Sequence, residues 1–231
     1  MNDSYRVPVH VRIFRKLARP VFRGLFYLLG SVKITGVENV PKSGAYIIAI
    51  NHISYFEAPF LIAFWPVAPE AVGASDIWKR TGQATLARWY GGIQVHRGEY
   101  DRQIIADISR VLESGRPVLI APEGGRSHTP GMRRAQPGVA FFIDKLNVPV
   151  LPVGLVGTTD DYLHRALRGE RPSLEMHIGK MIQLPPVEGR GQERRAARQK
   201  NADLVMLGIA KLLPSEYRGV YGEYTNSPQA A

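Results

Sequence analysis

The chain of 231 residues has no cysteine, which excludes disulfides, thiolate zinc sites and a cysteine nucleophile. Long apolar runs are missing too. The longest uncharged one, APFLIAFWPVAP at 58–69, is well below the roughly 20 residues that cross a bilayer, and it contains prolines. Acidic side chains are scarce beside basic ones, 20 against 30, leaving a net charge of +10. Such a balance calls for an anionic partner: nucleic acid, anionic lipid or a phosphorylated small molecule. No G-x-S-x-G elbow, H-E-x-x-H zinc motif, G-x-G-x-x-G turn or Walker loop is found. A serine hydrolase is therefore disfavoured, and no cofactor or metal is expected.

Hydrophobic residues make up 45 % and charged residues 22 %, the mixture of a folded protein, and the length suits one domain. Between Met1 and Gly30, six cations (Arg6, Arg12, Arg15, Lys16, Arg19 and Arg23) face only Asp3 and alternate with apolar residues. Residues 1–30 thus read as a basic amphipathic helical segment, divided at Pro20, that docks on an anionic membrane surface. An ordinary surface helix covering the core is the competing reading. Basic residues continue to Arg23 and the apolar stretch after it is short, which fits neither a signal peptide nor a transmembrane helix. No recognition module or aromatic-basic platform points to nucleic acid.

Beyond that segment, strand-like apolar runs alternate with helical patterns. The runs are VKITG (32–36), AYIIAI (45–50), AVGAS (71–75), IQVH (93–96), VLIA (118–121), VPVLPVGLV (148–156) and LEMHIGKMIQL (174–184). Helices are expected over 101–114, stopped by Gly115, over 136–147, and over 193–213. Continuous apolar strands between helices predict an α/β fold, a single domain with a largely parallel mixed sheet flanked by helices. The last strand alternates best and is expected near a sheet edge.

Reactive groups in such sheets gather where strands end. Three junctions are unusually polar. After AYIIAI comes NHISYFE, in which a turn would let His52 meet Glu57, the carboxylate holding one imidazole nitrogen and leaving the other as a general base. The competing reading is a capping box from Ser54 to Glu57 at the start of a helix. After IQVH comes Arg97, a forked donor suited to phosphate. After VLIA comes APEGGRSH, where Gly124 and Gly125 permit a sharp turn that aims N–H groups at an anion, beside Glu123, Arg126 and Ser127.

Taken in this order, the junctions resemble the PlsC-type 1-acyl-glycerol-3-phosphate (lysophosphatidate) and glycerolphosphate acyltransferases. The family's N-H-x-x-x-x-D motif falls on Asn51 and His52, with Glu57 in place of Asp. Its glycine-to-arginine motif falls on the stretch from Gly92 to Arg97, and its E-G-T-R-S motif on Glu123, Gly124, Gly125, Arg126 and Ser127. Its V-P-V-x-P-V motif falls on Val148 to Val153, and LLPSEYRGVY near the C-terminus also resembles bacterial members.

The resemblance implies that 31–231 is an acyltransferase domain moving a fatty acyl group from acyl-CoA or an acyl-carrier protein to the hydroxyl of a lysophospholipid. It needs no cofactor beyond that thioester co-substrate. His52 would take the hydroxyl proton and Glu57 would orient the imidazole. Arg97 and Arg126 would hold the acceptor phosphate, the Gly124/Gly125 turn would shape that site, and Asn51, Glu123 and Ser127 would belong to the same binding set. The run from Ala58 to Val67 would either wall the acyl chain or form plain core. The work would be done peripherally, at the cytoplasmic face of the cell membrane. Glu57, Gly125 and Gln136 depart from the family pattern, and the lysine lost at Gln136 has Arg133 and Arg134 nearby to compensate. Another lipid or glycolipid acceptor is the alternative within the class; a non-catalytic basic lipid-binding protein is the alternative outside it.

Overall fold

A computed structural model describes residues 5–96, 102–136, 141 and 148–225. Among them, seven strands form one sheet: β1 (Ser31–Thr35), β2 (Ile47–Ile50), β3 (Glu70–Ala74), β4 (Ile93–Val95), β5 (Val118–Ile120), β6 (Val150–Val156) and β7 (Ser173–Ile178). Their order is β1-β7-β6-β2-β5-β3-β4. Five strands from β6 to β4 run parallel, while β7 and β1 pair parallel with each other but reverse direction against β6. The sheet is the largely parallel, mixed one expected.

Side chains alternate across a strand, so β2 feeds two cores. Ile47 and Ala49 meet Ile104, Ile108, Val111 and Leu112 of α4 (Arg102–Glu113) and Ala202, Val205, Met206 and Ile209 of α6 (Gly191–Ala210). On the opposite face, Ile48 and Ile50 meet Phe26 of α1 (Val9–Leu29), Phe60 and Leu61 of α2 (Glu57–Phe64) and Tyr162 of α5 (Tyr162–Leu167). Both faces are covered, which is why the central strands read as unbroken apolar runs. The short helix α3 (Gln83–Tyr90) leads into β4. Gly115, at φ +76, ends α4 as expected; that left-handed turn suits a residue without Cβ.

Two sequence expectations change. Pro20 does not divide the N-terminal segment: α1 runs unbroken from Val9 to Leu29 with Pro20 inside it. Pro20 has no N–H to donate to the carbonyl of Lys16, four residues earlier, and the helix continues past it on a stretch where both residues are exposed. The strand foreseen at 174–184 stops at Ile178, one place in from the sheet edge. Its ladder against β6 reaches Val153, and the next residue of β6, Pro152, has no N–H to offer. Gly179 donates to the Pro152 carbonyl at 2.9 Å, the chain swings out, and pairing resumes only as a bridge between Ile182 and Val150. The helix expected at 136–147 falls largely outside the described residues.

The basic side chains of α1 are also redirected. Arg15 is buried and donates to Glu70, itself fully buried, at 2.7 and 2.6 Å; Arg116 and Tyr5 donate to the same carboxylate at 2.8 and 2.9 Å. Arg19 and Arg23 turn to the C-terminal end of α2, where Arg19 donates to the carbonyls of Ala63, Trp65 and Pro66 and Arg23 to that of Ala63. Cations suit a helix C-terminus because its last carbonyls are unpaired and carry partial negative charge. No described helix is long and apolar enough to cross a membrane.

Candidate active site

β2, β5 and β6 are parallel neighbours, so the segments that leave their C-terminal ends converge at one edge of the sheet. The loop after β2 turns as the spacing of His52 and Glu57 requires. His52 Nδ1 lies 2.9 Å from Glu57 Oε2. Glu57 is fully buried, and its other oxygen accepts from the backbone N–H groups of Ile53 (3.1 Å) and Ser54 (2.8 Å) and from the Thr158 hydroxyl (3.2 Å). Four donors match the capacity of a carboxylate.

The capping-box reading is therefore partly correct as well: the Glu57 side chain folds back on Ser54 N–H while its outer oxygen orients the histidine. The extra methylene of Glu is accommodated because Glu57 opens α2 and curls over its own loop. Pro59 is tolerated as the third residue of α2, since the first four N–H groups of a helix have no internal partner. A carboxylate oxygen can only accept, so Nδ1 is the donor, and in the neutral imidazole Nε2 then carries the lone pair. The His52 side chain is 24 % exposed. Nε2 has no hydrogen-bond partner among the described residues.

The backbone of His52 is held from both sides. Its N–H donates to Glu123 Oε1 at 2.8 Å, and its carbonyl accepts from Ser127 N–H at 2.9 Å. Glu123 Oε2 takes the N–H of Arg133 at 2.8 Å. With 2 % exposure and both oxygens occupied, Glu123 braces the loop and does not reach toward a substrate, contrary to the sequence expectation. Asn51 corrects in the same way. It is fully buried, and its amide exchanges two hydrogen bonds with the Leu155 backbone, 2.8 and 2.9 Å, locking β2 to β6. The Gly124 N–H closes a turn on the Ala121 carbonyl at 3.1 Å, so it is spent on the turn and not offered to an anion. Gly124 has φ +66, and a Cβ there would stand 2.8 Å from Gln136 Cγ. Gly125 follows it, buried, in the same segment. The Ser127 hydroxyl is turned to the Thr129 carbonyl.

Arg126 stacks its guanidinium carbon 3.7 Å from the centre of the Tyr55 ring, with Nη1 3.6 Å from Asp160 Oδ1. That separation makes an ion pair but no hydrogen bond, and Nη1 is a buried donor without one among the described residues. β4 ends at the same edge of the sheet, but Arg97 lies outside the described residues. The run from Ala58 to Val67 is mostly core: Phe60, Leu61, Ala63 and Trp65 are buried, Trp65 donating to Tyr46 Oη at 3.1 Å. Among the described residues no group of three or more His, Cys, Asp or Glu could hold a metal ion.

A family model described as Acyltransferase matches residues 31–156, more than half of the chain. The chain belongs to the Acyltransferase family. The matched region spans β1 to β6 and leaves α1 and the C-terminal helices outside it. A solved structure of the 1-acyl-sn-glycerophosphate (LPA) acyltransferase PlsC from Thermotoga maritima superposes with a TM-score of 0.60 at 21 % identity, covering 84 % of this chain and 79 % of that one. The fold is therefore the PlsC fold. A 1-acyl-sn-glycerol-3-phosphate acyltransferase of Borreliella burgdorferi is 26 % identical over 161 residues, 68 % of this chain and 64 % of that protein. Uncharacterized proteins of Mycobacterium tuberculosis and Mycobacterium bovis are 23 % identical over 153 residues, 63 % of this chain. The chain spans only 43 % of their length.

In this member of the Acyltransferase family, Tyr55, Thr158 and Asp160 join the site without having been singled out in the sequence. The last two follow β6 in the run GTTDD, a polar patch after an apolar strand, which is the same signal that exposed the other junctions.

Burial raises the Glu123 carboxyl to about 7, against which the N–H groups of Arg133 and His52 work only partly. A folded-state value above the ordinary one means the folded protein holds a proton that the unfolded chain releases. Stability from this group is therefore full below pH about 4.5 and is lost as pH rises toward 7, by about 3 kcal/mol in all. Urea unfolding at pH 5 and pH 8 should show that fall in the native protein and a flatter profile in Glu123→Gln; parallel profiles would remove Glu123 as the cause.

Proposed function

We propose that this chain transfers a fatty acyl group from acyl-CoA or an acyl-carrier protein to the free hydroxyl of a lysophospholipid such as 1-acyl-glycerol-3-phosphate, with His52 as general base. The observation that carries the reading is the 2.9 Å contact between His52 Nδ1 and a fully buried Glu57 beneath an unoccupied Nε2. An alcohol is a poor nucleophile at neutral pH, whereas a thioester is already activated. A positioned base therefore suffices, and no acyl-enzyme is needed.

The acceptor hydroxyl gives its proton to Nε2 as its oxygen attacks the thioester carbonyl. The tetrahedral intermediate then collapses, the C–S bond breaks, and the same proton passes from Nε2 to the departing sulfur. Ester and thiol leave with His52 neutral again. Arg126, and Arg97 from the end of β4, would hold the acceptor phosphate. The test is acyl transfer by purified protein from acyl-CoA and acyl-carrier protein to a panel of lysolipids and glycolipids, read by mass spectrometry. Hydrolysis of donor alone, or no product with any acceptor, would defeat the reading.

Docking at the cytoplasmic face of the membrane belongs to the same proposal. Val9, Ile13, Leu17, Val21 and Leu28 form an exposed apolar stripe along α1, each more than half exposed, opposite the buried Val11, Arg15 and Phe26. Arg12 and Lys16 flank it, exposed, where lipid phosphates would lie. With Arg15 buried on Glu70 and Arg19 and Arg23 bonded to the carbonyls that end α2, the apolar stripe carries more of the docking than the count of six cations suggested. Changing Ile13, Leu17 and Val21 together to serine should lower sedimentation with phosphatidylglycerol-containing vesicles at least about tenfold. Undiminished sedimentation would remove α1 from docking.

A further inference from the structure

We infer that Arg80, which lies outside every motif of the site, is a further arginine of the acceptor site, held beside Arg126 by Tyr55, and that the two contact the acceptor's phosphomonoester together. The inference rests on the proposed transferase reading and deepens it by adding a residue that sets affinity for the acceptor.

Arg80 closes the 3-10 turn after β3, Ser75–Lys79, and belongs to none of the motifs of the site. Its Nη1 donates to Tyr55 Oη at 2.6 Å, and its guanidinium carbon stands 5.4 Å from the Tyr55 ring centre. Arg126 lies against the same ring at 3.7 Å. One aromatic side chain, three residues after His52, therefore has two guanidinium groups around it.

The charge of this cluster is not balanced. Arg80 has no carboxylate partner among the described residues, and Arg126 reaches only Asp160, which His128 also contacts at 3.1 Å. Two guanidinium groups near one ring raise the local positive charge, which cation–π contact with tyrosine offsets only in part and which an anion would offset further. Arg126 Nη1 is the buried donor left without a hydrogen bond. On this inference the terminal oxygens of a phosphate accept from the guanidinium of Arg126 and from the remaining donors of Arg80, the forked recognition that arginine provides. A dianionic phosphomonoester meets this excess of charge better than a diester or a zwitterionic headgroup. Tyr55 thereby ties the phosphate grip to the loop that holds His52, setting the distance from phosphate to reacting hydroxyl.

The probe is a short-chain 1-acyl-glycerol 3-phosphate kept below its micelle concentration, titrated calorimetrically into the full chain. Loss of one charge-assisted contact predicts an affinity about 10- to 100-fold weaker in Arg80→Gln, with partial recovery in Arg80→Lys. Tyr55→Phe, which keeps the ring under Arg126 but removes the hydroxyl that anchors Arg80, should fall between. In turnover, Arg80→Gln should raise KM for the phosphate-bearing acceptor and leave KM for acyl-CoA unchanged. Arg80 is exposed, so the fold tolerates its replacement. Affinity that Arg126→Gln weakens and Arg80→Gln does not would remove Arg80 alone, and a native protein that binds no phosphomonoester would overturn the site altogether. Arg80-dependent binding in a protein that transfers no acyl group would uphold the inference while sinking the transferase reading.

Discussion

Replacing His52 by alanine is expected to lower acyl transfer about 10²- to 10⁴-fold, the range that a positioned base contributes. The change also strips Glu57 Oε2 of its partner inside the protein, at a cost of about 1 to 3 kcal/mol, so a loss of rate could be mistaken for a loss of fold. His52→Asn separates the two. The asparagine amide can donate to Glu57 from roughly the place of Nδ1, yet it has no basic atom at Nε2. Rates should collapse in both variants, while urea unfolding of His52→Asn stays close to the native curve. Turnover within tenfold of native in His52→Asn would show that the imidazole is not the base. Glu57→Gln should slow turnover as well, because an amide cannot accept from the Ser54 N–H and orient the ring at once; unchanged kinetics would take Glu57 out of the mechanism.

The largest expected loss of stability lies elsewhere, at Glu70. Its carboxylate is fully buried and gathers Arg15, Arg116 and Tyr5. Burial alone would raise its pKa, but the hydrogen bonds and charge of Arg15, with the charge of Arg116 and the Tyr5 hydroxyl, bring it below the ordinary value. Beside the buried anion, the Tyr5 phenol is pushed up to about 12, with burial the larger cause. Glu70→Ala would strand two guanidinium groups, and removing one side of such a buried cluster costs about 3 to 5 kcal/mol. Arg15→Met should cost less, since Arg116 and Tyr5 remain on the carboxylate and methionine fills much of the space.

Because the folded pKa of Glu70 is depressed, its contribution is present above the unfolded value of about 4.5 and is lost as pH falls below it. That window lies on the acid side of the one governed by Glu123. Chemical denaturation at neutral pH and at pH 3.5 should show a large deficit for Glu70→Ala that shrinks in acid. A deficit under about 1 kcal/mol at neutral pH would mean the cluster is a solvated contact and not an anchor for α1.

Sequence alone made the parallel layers legible, because a strand covered on both faces must be apolar at every position, as Ile47 to Ile50 are. The same contrast exposed the site: polar residues directly after such strands have nowhere to be except a loop at the sheet edge, and the gap between His52 and Glu57 suited a turn. What could not be read was whether a polar side chain faces its own loop or a ligand. Asn51 and Glu123 sit in motifs that resemble a binding site, yet both bond backbone groups, because a loop packed against the sheet leaves N–H and C=O groups that something must satisfy. Glu70 and Arg80 were invisible for another reason. Their partners lie 55 residues away for Arg15 and 25 for Tyr55, and no local pattern encodes such pairings. Pro20 misled because a proline weakens a helix without always ending it, and α1 is held on both sides of it by Arg15 and Phe26, packing that no local pattern shows.

The bonds that lock the His52 loop have a consequence for how the molecule comes into being. Asn51 and Ser54 are tied to Leu155 and Thr158 across 104 positions, and Glu57 to Thr158 across 101. A ribosome making this chain releases β2 long before β6 exists, so the emerging segment, every residue of β2 destined for burial, must wait without either neighbour. The histidine acquires its geometry only after some hundred more residues have been synthesised, and the nascent chain is most in need of protection from aggregation during that interval.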